Sequence, residues 1–272
     1  MDIDNFLIAV VLGLVEGLTE FVPVSSTGHL IVAGHLLGFT GEKAATFEIF
    51  IQLGAILAVA LLYRGRLFRL LPTTAGQGLA GRRGLALLAL TTLPALVVGG
   101  IAGSAVKDHL FNPTTVAIGW GIGGLALLGV ERVRPRATKT DLGALGWRDA
   151  LVIGLVQCLA LWPGVSRAAM TMGSGMLLGA DRETAAEYSF LAAMPVLAAA
   201  TVFDLYDSRD LLRAADIPMF AVGFAVSFVA AWFAVRFFLR LLATTTLRPF
   251  GWYRIAAALV LLLVVAANRI SG

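Results

Sequence analysis

The sequence predicts an all-α polytopic membrane protein, with six transmembrane helices plus two re-entrant helix hairpins arranged as inverted-topology repeats. Three observations lead there. The 272 residues are 58% hydrophobic and 14% charged, against about 45–50% apolar and about 25% charged in a typical soluble domain. Six apolar stretches are long enough, or nearly so, to cross a bilayer. Two further apolar regions are interrupted by proline, glycine and polar residues, and they resemble each other. With a mean hydropathy of +0.87, the chain is not a disordered protein, a collagen, a coiled coil or an ordinary soluble enzyme. Its single cysteine, Cys158, excludes an intrachain disulfide and a cysteine-rich zinc site.

A crossing helix needs roughly 20 mostly apolar residues. The stretches 47–63, 85–106, 113–131, 185–204, 217–239 and 252–268 are the spans. Regions 6–41 and 149–180 carry Pro23 and Pro163, runs of Ser, Thr and Gly, and charges. Such backbone survives at membrane depth only when packed in protein or lining a wet cavity. Both regions therefore read as re-entrant hairpins, the alternative being a pair of full crossings in each. The acidic start, Met1-Asp2-Ile3-Asp4-Asn5, lacks the basic region of a cleaved signal. All of 1–272 forms one membrane domain, with repeat one over about 1–131 and repeat two over about 149–268.

Loop charges set the orientation. Loop 64–84 holds Arg64, Arg66, Arg69, Arg82 and Arg83, and loop 132–148 holds Arg132, Arg134, Arg136, Lys139 and Arg148. Both belong in the cytoplasm. Turn 107–112 and loop 205–216, with Asp207, Asp210 and Asp216, then lie outside, and loop 240–251 inside. Counting crossings puts both termini outside. Region 6–41 then enters from the outer face and region 149–180 from the inner one. The net charge of +4 reflects these loops, so no nucleic-acid partner is expected. A homodimer is compatible with the sequence.

The two broken regions align. Gly13-Leu14-Val15-Glu16 matches Gly154-Leu155-Val156-Gln157, Leu18 matches Leu159, and Phe21 matches Trp162. After a one-residue gap, Pro23 matches Pro163, Ser26 matches Ser166, and Phe50-Ile51 matches Phe190-Leu191. Chance similarity between apolar segments is the plain alternative. Opposite orientation of the two copies favours an inverted repeat, a fold that places its site at the repeat interface on discontinuous helices.

The densest polar run is Glu16 to His29. Glu16 and Glu20 are four apart and share a helix face. Each carboxylate costs about 2.5–3.5 kcal/mol at the bilayer centre. The pair makes sense if it holds a divalent cation, shares a proton or faces a cation; otherwise it faces bulk water. Pro23 ends the helix, and Ser25, Ser26, Thr27 and Gly28 then supply hydroxyls and backbone N–H groups to an anion site at a helix start, or serve merely as caps. His29 lies three residues after Ser26, a spacing that brings a hydroxyl and an imidazole together as nucleophile and base. His35 reads as a buried hydrogen-bonded histidine and His109 as a loop residue. In the second region, Ser166-Arg167 places a guanidinium at membrane depth, where it needs a phosphate or a salt bridge to Glu16 or Glu20. Glu48 and Gln52 lie one turn apart and can face the cavity. Glu187, Asp204 and Arg236 read as structural, and Gly99/Gly103 and Gly119/Gly123 as close-packing pairs.

Glu16-Gly-Leu-Thr-Glu20-Phe-Val-Pro23-Val-Ser25-Ser26-Thr27-Gly28-His29, together with Pro163-Gly164-Val165-Ser166-Arg167, resembles the undecaprenyl-diphosphate phosphatases, also called bacitracin-resistance proteins. The likeness covers almost the whole chain. It includes Phe47-Glu48, Gln52-Leu53-Gly54, Gln157 to Gly164 and Asp216 to Phe220. The resemblance implies a multi-pass enzyme of the bacterial inner membrane that converts the C55 isoprenoid diphosphate to the monophosphate carrier of peptidoglycan and other cell-wall polymers. It implies six spans, two hairpins, a site facing the periplasm and a divalent cation, Mg²⁺ or Ca²⁺. Residue by residue, it implies that Glu16 and Glu20 are the acidic pair and metal site, Ser26 and His29 nucleophile and base, and Arg167 the phosphate arginine. Ser25, Thr27, Gly28, Ser166, Thr171 and Gln52 are the expected substrate contacts. The chain departs from the family's Pro-Gly-x-Ser-Arg-Ser-Gly at Ala168 and Ala169, which leaves Thr171 to supply a hydroxyl a turn later.

Two alternatives stay open. Water activated by a carboxylate can attack directly, with Ser26 only a donor. A secondary transporter or lipid flippase also uses inverted repeats and broken helices, although transport alone does not need a nucleophile and base.

Overall fold

The computed structural model describes residues 2–71 and 79–267. Residues 72–78 of loop 64–84 and residue 268, at the end of the expected last span, lie outside the described residues. The described chain is helical, with one isolated β-bridge between Lys139 and Ala180.

Six helices have the length and composition to cross a membrane: α3 (Glu42–Leu62), α5 (Gly81–Leu110), α6 (Pro113–Val133), α9 (Arg182–Asp207), α10 (Ile217–Leu242) and α11 (Arg248–Ala266). They coincide with the six expected spans; α3, α5, α9 and α11 begin a few residues before the apolar run, and at α9 a cap sets the start. Asp181 accepts the Thr184 N–H at 2.8 Å and starts α9 at Arg182. A short helix, α4 (Arg64–Arg69), occupies part of the first basic loop. Helix α5 runs through the expected turn 107–112 as far as Leu110, so His109 is helical, its Nδ1 donating to the Ala105 carbonyl at 3.0 Å.

The two broken regions are helix–break–helix units. The first comprises α1 (Ile3–Thr19) and α2 (Ser26–Leu36), separated by residues 20–25. The second comprises α7 (Trp147–Gln157), a 3₁₀ turn over Cys158–Leu161, and α8 (Arg167–Leu177). Their tips turn alike. Ser25 (φ 71°) and Ser166 (φ 75°) are the non-glycine residues with positive φ among the described residues. Each caps the helix that follows, Ser25 Oγ accepting Gly28 N–H and Ser166 Oγ accepting Ala169 N–H. The geometric counterpart of Ser166 is thus Ser25, one residue earlier than the alignment that matched Ser26 with Ser166. By the same register Ser26 and Arg167 are equivalent, each the first residue of the helix after the break.

Each unit packs against a span from the other half of the chain: α1 lies along α10, and α7 along α5. Small residues permit the approach. A Cβ on Gly17 would lie 2.4 Å from the Ser227 carbonyl oxygen, and one on Gly154 would lie 2.6 Å from that of Thr91. The two expected packing pairs separate here. A Cβ on Gly119 would meet the Pro163 carbonyl at 2.3 Å, whereas Gly103 faces nothing within 4 Å and Gly99 only Leu161 at 3.6 Å. The first pair therefore admits the second tip, while the second makes no close contact: the spacing is shared and the neighbour is not.

Candidate active site

The two tips meet. Glu20, just past the end of α1, and Arg167, at the start of α8, form a salt bridge of 2.8 Å with side chains 6% and 11% exposed. The second carboxylate oxygen of Glu20 accepts a hydrogen bond from the Ser26 hydroxyl. One carboxylate thus joins the serine of one tip to the guanidinium of the other. Arg167 Nη1 donates to the Ser189 carbonyl and hydroxyl on α9 at 3.0 and 3.1 Å, and its plane lies 5.4 Å from the Phe21 ring. Its buried Nε–H has no acceptor among the described residues. Nε–H and the remaining Nη2 hydrogen form an edge of the fork of the kind that pairs with an oxyanion.

The expected pairing of Ser26 with His29 is absent from this arrangement. His29 Nδ1 donates to the Ser25 carbonyl at 2.7 Å, which makes Nε2 of the neutral ring the acceptor for the Tyr253 hydroxyl at 2.7 Å. The ring also lies 4.7 Å from Trp120. Three-residue spacing does bring Ser26 and His29 to one helix end, but a carboxylate outcompetes the imidazole for the serine proton because it accepts the stronger, charge-assisted bond.

The remaining expected residues separate into groups. The start of α2 leaves the Ser26 and Thr27 N–H groups without intrahelical acceptors, the geometry of an anion site. The Thr27 side chain is half-buried. Gly28 is required there, since a Cβ would stand 2.8 Å from the Trp120 indole nitrogen, itself a buried donor without a partner among the described residues. Ser25 and Ser166 are caps. Thr171 is turned away toward α9: its hydroxyl bonds the Arg167 carbonyl at 2.9 Å and Ser189 Oγ at 2.7 Å, so it braces the serine that holds Arg167. Gln52 and Glu48 are buried on α3, and Glu48 Oε1 would lie 3.2 Å from a Cβ on Gly34 of α2. Glu16 is fully buried, and neither carboxylate oxygen has a partner among the described residues. No group of three or more His, Cys, Asp or Glu side chains among the described residues is arranged to hold an ion.

The model of the family described as bacitracin resistance protein BacA matches residues 9–260. The chain belongs to the BacA family. Relatives matched over most of their length support this. A protein of Maridesulfovibrio salexigens, named undecaprenyl-diphosphatase, is 57% identical over 250 residues, 92% of this chain and 95% of its own. One of Nitratidesulfovibrio vulgaris strain DP4 with the same name is 56% identical, covering 93% and 96%. One of Oleidesulfovibrio alaskensis, also so named, is 52% identical, covering 95% and 98%. Four residues around this BacA-family site went unmarked in the sequence. Ser189 and Trp120 lie within apolar spans, and Tyr253 and Arg254 lie at the start of the last one. No spacing signal connects residues 253–254 to residues 23–29; only the fold does.

Proposed function

We propose that this chain is an undecaprenyl-diphosphate phosphatase of the bacterial inner membrane. It releases the terminal phosphate of the lipid diphosphate on the periplasmic side, recycles the carrier for cell-wall polymers and confers bacitracin resistance. One observation carries the reading: the Glu20 carboxylate joins the Ser26 hydroxyl to the Arg167 guanidinium where two broken helices meet. The names of the relatives agree with it. The matched pairings α1–α10 and α7–α5, and the matched serine caps, support two re-entrant hairpins in inverted repeats.

In this reading the diphosphate lies between the tips, with its tail among the helices. The Ser26 and Thr27 N–H groups, the Nε–Nη2 edge of Arg167 and the Trp120 indole N–H take the oxygens of the terminal phosphate. Ser26 Oγ bonds the terminal phosphorus and passes its proton to Glu20. The bond from that phosphorus to the bridging oxygen breaks, and its electron pair leaves with undecaprenyl phosphate. A neutral Glu20 holds Arg167 less tightly, which frees the guanidinium for the charge developing on the phosphoryl oxygens. Water then attacks the phosphoserine and its protons leave with the released phosphate, while the bond from phosphorus to Ser26 Oγ breaks and Glu20 returns its proton to that oxygen. Glu20 thus takes the base role that spacing gave to His29.

The buried, unpartnered oxygens of Glu16 fit a hard cation. Glu16, with Glu20, would hold Mg²⁺ or Ca²⁺, the diphosphate completing the ligand set, since among the described residues no group of three His, Cys, Asp or Glu side chains could hold the ion alone. When bound, such an ion neutralises phosphate oxygens.

The test is inorganic phosphate release from farnesyl and undecaprenyl diphosphate by purified protein in detergent, with and without chelator. We expect release that chelation abolishes, and a phosphate adduct on Ser26 under slow turnover. Release without any adduct moves the attack to water activated by Glu20. Lipid transfer in sealed vesicles with no phosphate release removes the enzyme reading in favour of a transporter.

A further inference from the structure

Arg254 is the largest fully buried side chain among the described residues, at 0% exposure. It lies on α11, two turns from its start, and its guanidinium reaches backbone from three places. Nη1 donates to the Pro23 carbonyl of the first tip at 3.3 Å. Nη2 donates to the Gly164 and Val165 carbonyls of the second tip at 2.7 and 2.8 Å, and to the Gly119 carbonyl of α6 at 3.2 Å. No other described side chain is recorded donating to both tips. Glycine on α6 makes room for it, since a Cβ on Gly123 would stand 1.8 Å from Nη2.

Burying a guanidinium is costly, and carbonyls repay it less well than a carboxylate. Among the described residues no carboxylate pairs with Arg254. The carbonyls it holds lie in the short segments that set Ser26 and Arg167. Pro23 is three residues before Ser26, and Val165 is two before Arg167. Both segments contain a cap residue at positive φ, a conformation that costs energy and persists only where surrounding structure enforces it.

We propose that Arg254 is a positioning residue that ties the two hairpin tips together and so fixes the separation between the Ser26 hydroxyl and the Arg167 guanidinium. It touches neither substrate nor the reacting atoms. This rests on the reading above that Ser26 and Arg167 form the reactive centre. Loss of the tie lets the tips move apart by a fraction of an ångström to an ångström, a displacement that costs about a hundredfold in rate when reacting groups lose their alignment. Binding through Arg167 and the α2 start persists, so the loss falls on kcat rather than KM.

The experiment measures kcat and KM for farnesyl diphosphate with Arg254→Lys, Arg254→Met, Arg254→Ala and Gly123→Ala, alongside Ser26→Ala and Arg167→Ala. Thermal unfolding and size-exclusion profiles in detergent are recorded for each. The expected result is a fall in kcat of about a hundredfold for Arg254→Met, with KM within about threefold of wild type. Arg254→Lys, a point charge that cannot span four carbonyls, recovers only part of it. Gly123→Ala keeps the charge but displaces the fork, and lowers kcat in the same direction. Added guanidinium ion restores turnover to Arg254→Ala, which purely global destabilisation would not allow. The proposal is overturned if Arg254→Lys and Gly123→Ala turn over at the wild-type kcat while Ser26→Ala and Arg167→Ala are dead. It is also overturned if the loss appears wholly as raised KM or lowered stability without rescue. If Ser26→Ala and Arg167→Ala remain active, the reading of the reactive centre fails first. Should Arg254→Met not fold, Gly123→Ala and the Lys variant carry the decision.

Discussion

Glu20 illustrates how a single carboxylate serves two tips. With one oxygen on Arg167 and the other on Ser26, it pairs a buried cation and accepts a hydroxyl at once; in the proposed reaction it also takes that hydroxyl's proton. Breaking a buried pair by removing one partner leaves an uncompensated charge and costs about 3–5 kcal/mol. Removing one donor aimed at developing charge costs about 10²–10³ in kcat. We therefore expect Glu20→Gln and Arg167→Lys each to lose at least about a hundredfold in phosphate release. Glutamine still accepts a hydrogen bond but cannot take the serine proton, and lysine cannot hold Ser189, Glu20 and phosphate with one nitrogen. Wild-type kcat in either variant would remove the residue from the reaction. The candidates Glu20 and Arg167 stood out in the sequence because ionisable residues within apolar runs are costly and mark candidate sites. Their pairing did not: a helix start offers several acceptors to one hydroxyl, and the choice of Glu20 over His29 depends on distances that spacing does not encode.

Elements are held by glycine approaches and by one buried carboxylate. Gly17 lets α1 lie on α10, and a Cβ there would stand 2.4 Å from the Ser227 carbonyl oxygen and 2.6 Å from Ala230 Cβ. Alanine favours helix by about 1 kcal/mol over glycine, but contact with backbone forces the helices apart at about 1–3 kcal/mol. The clash wins, so Gly17→Ala should lower the unfolding temperature in detergent, while Gly103→Ala, with open space around it, should not. An unchanged Gly17→Ala would show that α1 can slide on α10. Elsewhere, Glu131 receives both nitrogens of a fork from Arg182 (2.8 and 2.6 Å) and the Leu247 N–H at 2.8 Å. It joins α6, α9 and the α10–α11 connection. That acid was not singled out in the sequence because an acid at a helix end beside arginines looks like any solvated loop charge.

At the scale of the molecule, the proposed orientation, with the basic loops in the cytoplasm and the site reached from the periplasm, is open to cysteine labelling. With Cys158 replaced by serine, an impermeant maleimide applied to intact cells should label Asp210→Cys and spare Arg136→Cys. The reverse pattern would invert the orientation. Six spans and two breaks could be read directly from the chain, since transfer of apolar side chains and the cost of unsatisfied backbone act locally and leave a composition signature. The family likewise followed from short runs of neighbouring residues. What needed three dimensions was everything made by residues far apart in the chain: Tyr253 on His29, Ser189 under Arg167, and Arg254 between the tips. Those contacts arise from packing one half against the other, so their partners carry no periodicity or spacing for a linear reading to find.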